Sequence, residues 1–281
     1  MVRLVALGGE ELMTGKDLVL CSSDILHKIN GIILKVLLIV QKLHQEHKHV
    51  SKRDIYYMEP SLFIDQGCVD QAIRGVCMIL KCSRHHLNIV PAGRGLVMGW
   101  LRFVESGRTI SCIKSPNTAY SIPACVEEVE VIESVAQYIL VVEKETVLQR
   151  LANDNFCKTN LCILITGRGY PDVTTRRFLR LLMDQLHIPA YCLVDYDPHG
   201  FDILSNYRFG SMQMAYDAKL MRVPEIRWLG VFHSDLAKYQ PLDRCLLSLT
   251  SEEKKKAESM LLRCNLQQEA PRGGHLLLCA F

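Results

Sequence analysis

The sequence predicts an α/β protein in two parts, helices first and a parallel sheet after them. Three observations lead there. Residues 24–80 carry apolar positions at helical spacing; residues 138–209 alternate short apolar runs with amphipathic patterns; and the proline-containing SPNTAYSIPACVEE (115–128) separates the two, read as a linker. A chain of 281 residues, 49% hydrophobic and 22% charged, buries a sizeable core and suits two domains. Its formal net charge of +3 neither demands nor excludes a nucleic-acid partner, because charge can be segregated on one face.

The elements follow in order. DILHKINGIILKVLLIVQKLHQEH (24–47) reads as one helix, and polar HKHV breaks it. Its most apolar stretch, GIILKVLLIVQKL, is too short to span a bilayer and contains Lys35, so no membrane role is expected. Ser51 opens a second helix through a Ser51-x-x-Asp54 capping box. A third helix runs through VDQAIRGVCMILKC, with Val69, Ile73, Val76, Ile79 and Leu80 on one face. HLNIV then reads as a strand, PAGRG as a glycine turn and LVMGWLRF as a second strand. Three helices and a hairpin are the order of a winged helix, which binds duplex DNA; the same order fits a small helical domain with no nucleic acid.

After the linker, YILVV (138–142), LCILI (161–165) and AYCLV (190–194) read as strands. ETVLQRLA (145–152), PDVTTRRFLRLLMDQL (171–186) and HGFDILSNYRF (199–209) read as the helices between and after them. Continuous apolar strands alternating with helices mean a parallel sheet covered on both faces. Ligands of such sheets bind at the carboxyl ends of the strands. Glu143 stands at the end of the first strand, and Asp195 and Asp197 follow the third, two positions apart and so on the same side of an extended chain. Three uncompensated carboxylates call for a cation, and an all-oxygen set suits Mg²⁺. Asp197, ahead of Pro198, equally fits a helix cap; Lys144 reads as a surface partner of Glu143 or Glu145, and His199 as a helix-terminus residue.

The stretch SKRDIYYM raises the question of which tyrosine does chemistry. Adjacent helical residues lie about 100° apart. Ile55 and Met58 therefore share the core-facing side, Tyr57 points nearly opposite with Arg53 one turn before it, and Tyr56 lies on the flank. A free phenol is only about a thousandth ionised at pH 7, so a tyrosine nucleophile needs a base or a metal-bound water. Both tyrosines also fit plain packing roles.

The segments VVEKETVLQRL, ITGRGYPD and LVDYDPHGFDIL resemble a Toprim domain, the metal-binding module of topoisomerases and primases. With KRDIYYM upstream, the order resembles the A-type chain of topoisomerase VI and its meiotic relatives, the sporulation-eleven family. RDIYYM, NTAYSIP, GRGYPDVTTRRFLRLLM and RFGSMQMAYD are most similar to the first paralogue of its plant branch, and the likeness covers about residues 24–268.

The resemblance implies a winged-helix domain (24–125) carrying a catalytic tyrosine, and an incomplete Toprim-like parallel sheet domain (126–268). It implies a DNA transesterase in the nucleus, making meiotic double-strand breaks through a 5′-phosphotyrosyl link. Tyr57 is then the nucleophile with Arg53 as the motif arginine; Glu143, Asp195 and Asp197 hold Mg²⁺; Tyr170 and Arg94, the latter in a wing turn, bind DNA. It also implies a homodimer, or a heterodimer with a paralogue, in which Tyr57 of one protomer meets the metal site of another. A separate topoisomerase VI B-like subunit would bring ATP, since the sequence holds no Walker A pattern.

Residues 1–23 and the tail 269–281 depart from the family pattern, and LLLCAF is no prenylation site. The departures predict a truncated product, less stable than a form with a family-like end. A non-catalytic DNA-binding or regulatory isoform is the second reading; a Toprim nuclease or primase with structural tyrosines is the third. No secretory signal is read at the N-terminus. The 12 cysteines lack any CxxC pair, which points to reduced, buried thiols of an intracellular protein.

Overall fold

The computed structural model describes residues 31–90, 93–210, 220–230, 232, 235, 238–239 and 248–262. The expectations for 1–23 and 269–281 and for the start of the first helix lie outside these residues. The chain divides into two compact units, 1–90 and 91–281.

In the first unit, helix α1 covers residues 31–45. Its buried stripe is Val36, Val40 and Leu43, the spacing of one helical face. Helix α2 (Lys52–Met58) begins with the expected capping box, Ser51 and Asp54 each satisfying the other's N–H. Helix α3 (Gln66–Leu80) buries Val69, Ala72, Ile73, Val76 and Cys77 and is capped by Asp65. A Lys52–Asp70 ion pair of 2.6 Å and fully buried Ile55 join α2 to this core.

Three expectations need correction here. Ile79 and Leu80 are 66% and 52% exposed, and Met58 is 47% exposed, so the apolar periodicity outruns the buried face. HLNIV is not a strand: it makes a 3₁₀ turn (His85–Leu87) and a single bridge, Val50 to Ile89. LVMGWLRF is two strands in two different sheets. The break is at Gly99, whose φ of +104° carries the chain around, and where a Cβ would stand 2.3 Å from the Cys162 carbonyl oxygen.

The second unit is built from two sheets. The strands before the linker are β1 (Leu96–Gly99), β2 (Leu101–Glu105) and β3 (Arg108–Ser111). Then come β4 (Tyr120–Ser121), β5 (Val129–Ser134) and β6 (Tyr138–Val142). Helices α4 (Glu145–Asn153) and α5 (Phe156–Asn160) lead to β7 (Cys162–Thr166), and α6 (Val173–Leu186) leads to β8 (Ala190–Leu193). Helix α7 (Pro198–Phe209), strand β9 (Arg227–Gly230) and helix α8 (Ser251–Leu261) complete it.

The larger sheet has the order β4-β1-β7-β6-β8-β9 and the smaller one β3-β2-β5. The parallel sheet expected after the linker is present, since β7, β6, β8 and β9 run parallel. β1 adds to it antiparallel, with Leu96 opposite Thr166 and Gly99 opposite Ile163, and β4 pairs with β1. The segment expected as a linker thus supplies β4 and lies within the second unit. The units divide after residue 90, earlier than the expected boundary at 125/126, because β1 is hydrogen-bonded into the later sheet.

Alternation along the strands shows why the runs are wholly apolar. Ile139, Val141, Ile163 and Ile165 face one core with Phe103, Phe178 and Leu182. Leu140, Val142, Cys162 and Leu164 face a second core with Leu148, Ala152 and Cys157. Both faces are covered, so neither set of side chains is polar. The cysteines among the described residues are free thiols, and burial pushes Cys112 up to about 12.

Candidate metal centre and nucleophile

The chain leaves β6 for β7 on one side and returns across β6 to β8 on the other, so β6 marks the switch point of the sheet. Glu143 follows β6 directly. Its carbonyl accepts hydrogen bonds from the Gly169 N–H (2.9 Å) and the Thr166 hydroxyl (3.1 Å), which fixes it against the turn after β7. Its buried carboxylate accepts the Asp195 N–H at 3.0 Å. One residue therefore joins the ends of β6, β7 and β8.

Burial raises the Glu143 carboxyl above its ordinary value, and the charges of Asp195 and Asp197 add to this. The Asp195 N–H and Lys144 oppose it without cancelling it. Lys144 does not pair with Glu143 or Glu145 as expected. Its Nζ reaches Asp195 Oδ2 at 2.5 Å, and that bond raises the lysine in turn. Glu145 instead pairs with Arg168 (2.9 Å) of the turn after β7.

Asp197 is the N-cap of α7: Oδ1 accepts the Gly200 N–H at 2.7 Å, with Pro198 in the first helical position. The cap function weighed for it from sequence is real, and one carboxylate oxygen serves it. Gly200 is required by proximity, because a Cβ there would stand 2.3 Å from the Asp195 carbonyl oxygen. The pattern Asp195-x-Asp197-Pro198-x-Gly200 is thus one unit: a strand end, a cap and a glycine that lets the two touch.

The donor set is of the chemical kind a divalent cation takes, although among the described residues the oxygens of Glu143, Asp195 and Asp197 do not all lie within 4.8 Å of one another. All three groups are carboxylates, the kind of ligand Mg²⁺ takes. Glu143 feels the negative charge of both aspartates, and a protein cation is already drawn onto Asp195.

Tyr170 stands after the GRG turn, where its hydroxyl donates to Asp202 Oδ2 at 2.9 Å. Lys256 from α8 bonds the same oxygen at 2.7 Å and lies 5.4 Å from the centre of the Tyr170 ring. His199, in the first turn of α7 as expected, comes within 3.4 Å of the Tyr170 hydroxyl. Burial raises the Tyr170 phenol, with Asp202 adding to the rise and Lys256 opposing it. Asp202 lies within LVDYDPHGFDIL but nothing there points to this role, and Lys256 falls in no motif.

Arg94, expected in a wing turn, is exposed, but it precedes β1 and is not in a turn between paired strands. Its N–H donates to Asp172 Oδ2 at 2.6 Å, and Asp172 Oδ1 caps α6 through the Thr175 N–H at 2.7 Å. Burial acts to raise the Asp172 carboxyl, yet the bonds from Thr175, Arg94 and Thr174 outweigh it and hold it below its ordinary value.

Tyr57 and Arg53 stand in the first unit, on α2. Tyr57 is 67% exposed, Ile55 is fully buried and Tyr56 is half-buried, so the helical-face argument holds for all three. Arg53 is exposed one turn before Tyr57. The Tyr56 and Tyr57 rings meet edge to face, 5.4 Å between centroids, which restricts the direction of the Tyr57 hydroxyl.

With this geometry in place, comparison with protein-family models defines the class. Residues 138–277 match the Toprim domain shared by the A-type chain of topoisomerase 6 and Spo11, and residues 30–89 match type IIB DNA topoisomerase. The chain belongs to this topoisomerase 6A/Spo11 family.

Within it, the chain is 63% identical over 240 residues to meiotic recombination protein SPO11-1 of Arabidopsis thaliana. It is 60% identical over 242 residues to SPO11-1 of Oryza sativa subsp. japonica. These matches cover 85% and 86% of this chain, and the chain spans 66% and 64% of the length of those relatives. A meiotic recombination protein of Drosophila melanogaster is 32% identical over 238 residues, 84% of this chain and 71% of that relative.

Proposed function

We propose that this protein is a type IIB topoisomerase-like DNA transesterase that makes meiotic double-strand breaks in the nucleus. The observation that carries the reading is the exposed Tyr57–Arg53 turn of α2, in a chain whose parallel sheet ends in Glu143, Asp195 and Asp197. Tyr57 Oη forms a bond to a backbone phosphorus while the P–O3′ bond breaks. The phenolic proton passes to water and the 3′ oxygen takes up a proton. The 5′ phosphate ends as an ester of Tyr57, and the other end is a 3′ hydroxyl.

Arg53 places a guanidinium beside the phenol and the attacked phosphate, where it favours anionic oxygen. Glu143, Asp195 and Asp197 hold a divalent cation, Mg²⁺ in this reading. That ion supplies charge neutralisation at the phosphate and the departing oxygen. The buried Glu143 and the helix-capping Asp197 hold their ends of the site in place before substrate arrives. Tyr170 and Arg94 contact the duplex, with Tyr170 held in orientation by Asp202 and Lys256.

Cutting both strands takes two copies, or one copy and a paralogue, with Tyr57 of one protomer meeting the acids of the other. A topoisomerase VI B-like subunit supplies ATP binding. Among the described residues no helix is long and apolar enough to cross a membrane.

The test is a covalent-adduct assay with duplex DNA and Mg²⁺. Tyr57→Phe keeps the ring against Tyr56 but removes the nucleophilic oxygen, so the adduct disappears; Tyr56→Phe retains most of it. The reverse order would assign the chemistry to Tyr56 and refute the reading.

A further inference from the structure

The geometry points to Lys144 as an internal counter-ion of the metal centre: it holds Asp195 while the divalent cation is away, yields it on metal entry, and then contacts DNA phosphate. The inference rests on the metal-dependent reading of Glu143, Asp195 and Asp197 and adds a residue to it.

Lys144 does not serve the helix it begins. It is the N-cap of α4, but its side chain makes no capping hydrogen bond. Its neighbour Glu145 is committed to Arg168. The Lys144 side chain instead spans to Asp195, 51 positions away, at 2.5 Å. Asp195 accepts this ammonium on the same carboxylate that a metal ion needs, while its N–H is held by Glu143. The ammonium therefore offsets part of the acidic cluster's repulsion when no ion is bound.

Both partners are accessible, 53% and 45% exposed at the side chain, so the pair is open to exchange. A divalent cation held by Glu143, Asp195 and Asp197 would bring twice the charge of the lysine and compete with it for the Asp195 carboxylate. The released ammonium would stay tethered at the start of α4, one residue from Glu143, free to meet a DNA phosphate there.

Isothermal calorimetry of MgCl₂ binding to the whole chain, wild type against Lys144→Met, tests the first half. Methionine keeps the apolar stem and helix propensity while removing the charge. Surface pairs of this exposure are weak, so Mg²⁺ binding to Lys144→Met is expected to be about two- to fivefold tighter. Unchanged or weaker Mg²⁺ binding would overturn the inference, the latter by making Lys144 a support of Asp195 instead of a competitor. A wild-type chain with no Mg²⁺ heat would overturn both this inference and the metal reading beneath it. Wild-type heat with no difference in the variant overturns this inference alone.

The second half is read from the salt dependence of duplex binding. With Mg²⁺ present, the variant's log-log slope falls by about one counter-ion relative to wild type; without metal the slopes agree. Equal slopes with Mg²⁺, or an equal loss without it, would refute the hand-over. Thermal melts of both chains confirm that the fold is kept.

Discussion

Gly200→Ala isolates the contact that sets the spacing of the proposed metal centre. Gly200 is the third residue of α7 and its N–H is capped by Asp197 at 2.7 Å. Alanine suits a helix, so backbone preference favours the change. Space does not: the new Cβ would stand 2.3 Å from the Asp195 carbonyl oxygen and 3.1 Å from its nitrogen, against 3.4 Å or more in ordinary contact. Neither neighbour is a flexible side chain, so α7 and the strand end must separate by about 1 Å. Overpacking of this kind costs about 1–3 kcal/mol. For a chain of this size that lowers the melting temperature by roughly 2–4 °C per kcal/mol.

The same displacement moves Asp195 away from Glu143 and Asp197, and misplacement by about 1 Å can cost about a hundredfold in rate. Differential scanning calorimetry and covalent-adduct yield with Mg²⁺ read the two effects. Gly31→Ala is the control: nothing among the described residues lies within 4 Å of its Cβ, and a helical alanine there stabilises by up to about 1 kcal/mol. If Gly200→Ala melts and forms adduct like wild type, the spacing argument is refuted.

Asp172→Asn keeps one acceptor but loses the anion shared by Arg94, Thr174 and Thr175, and should destabilise by about 0.5–2 kcal/mol at about pH 7. Because the native carboxyl sits below its ordinary value, its contribution is full above an unfolded value of about 3.9 and is lost as pH falls through the lower native one. Urea midpoints of variant and wild type should therefore converge as pH falls below the unfolded value of about 3.9 and through the lower native one. A gap that stays constant with pH would exclude the charge as its source. Ile55→Ala empties a fully buried site and should cost about 2–5 kcal/mol, whereas exposed Met58→Ala should stay within about 0.5 kcal/mol. Equal losses in denaturant melts would restore Met58 to the core.

The parts of the fold legible in the sequence are those fixed by local physics. β6, β7 and β8 read correctly because both faces are covered, which leaves an apolar run with no alternation to misjudge. The capping box at Ser51 reads correctly because both partners are three residues apart. Glu143, Asp195 and Asp197 were visible as acids at strand ends, and Tyr57 as the phenol opposite Ile55.

What could not be read depends on distant partners. Nothing local distinguishes Gly99 inside an apolar run from a strand glycine; its φ of +104° answers to the Cys162 carbonyl, far along the chain. Lys144 looked like a surface lysine because its partner is 51 positions away. Asp202 and Lys256 meet across 54 positions to hold Tyr170. Ile79 and Leu80 show the opposite failure: periodicity places them on the apolar side, but the buried face ends before them.

The antiparallel addition of β1 to β7 also sets an order of events during synthesis. Met98 lies opposite Leu164, 66 positions later, so β1 leaves the ribosome well before its partner exists. At about 5–20 residues per second the interval is roughly 3–13 seconds. Through it, an apolar strand that ends wholly buried has only two-residue β4 to pair with from the segments nearby. Closing so long a loop is also entropically slow compared with the local α2–α3 contacts. The first unit can form while the larger sheet still waits, and β1 is the strand with the longest opportunity to pair with the wrong edge or to recruit a chaperone.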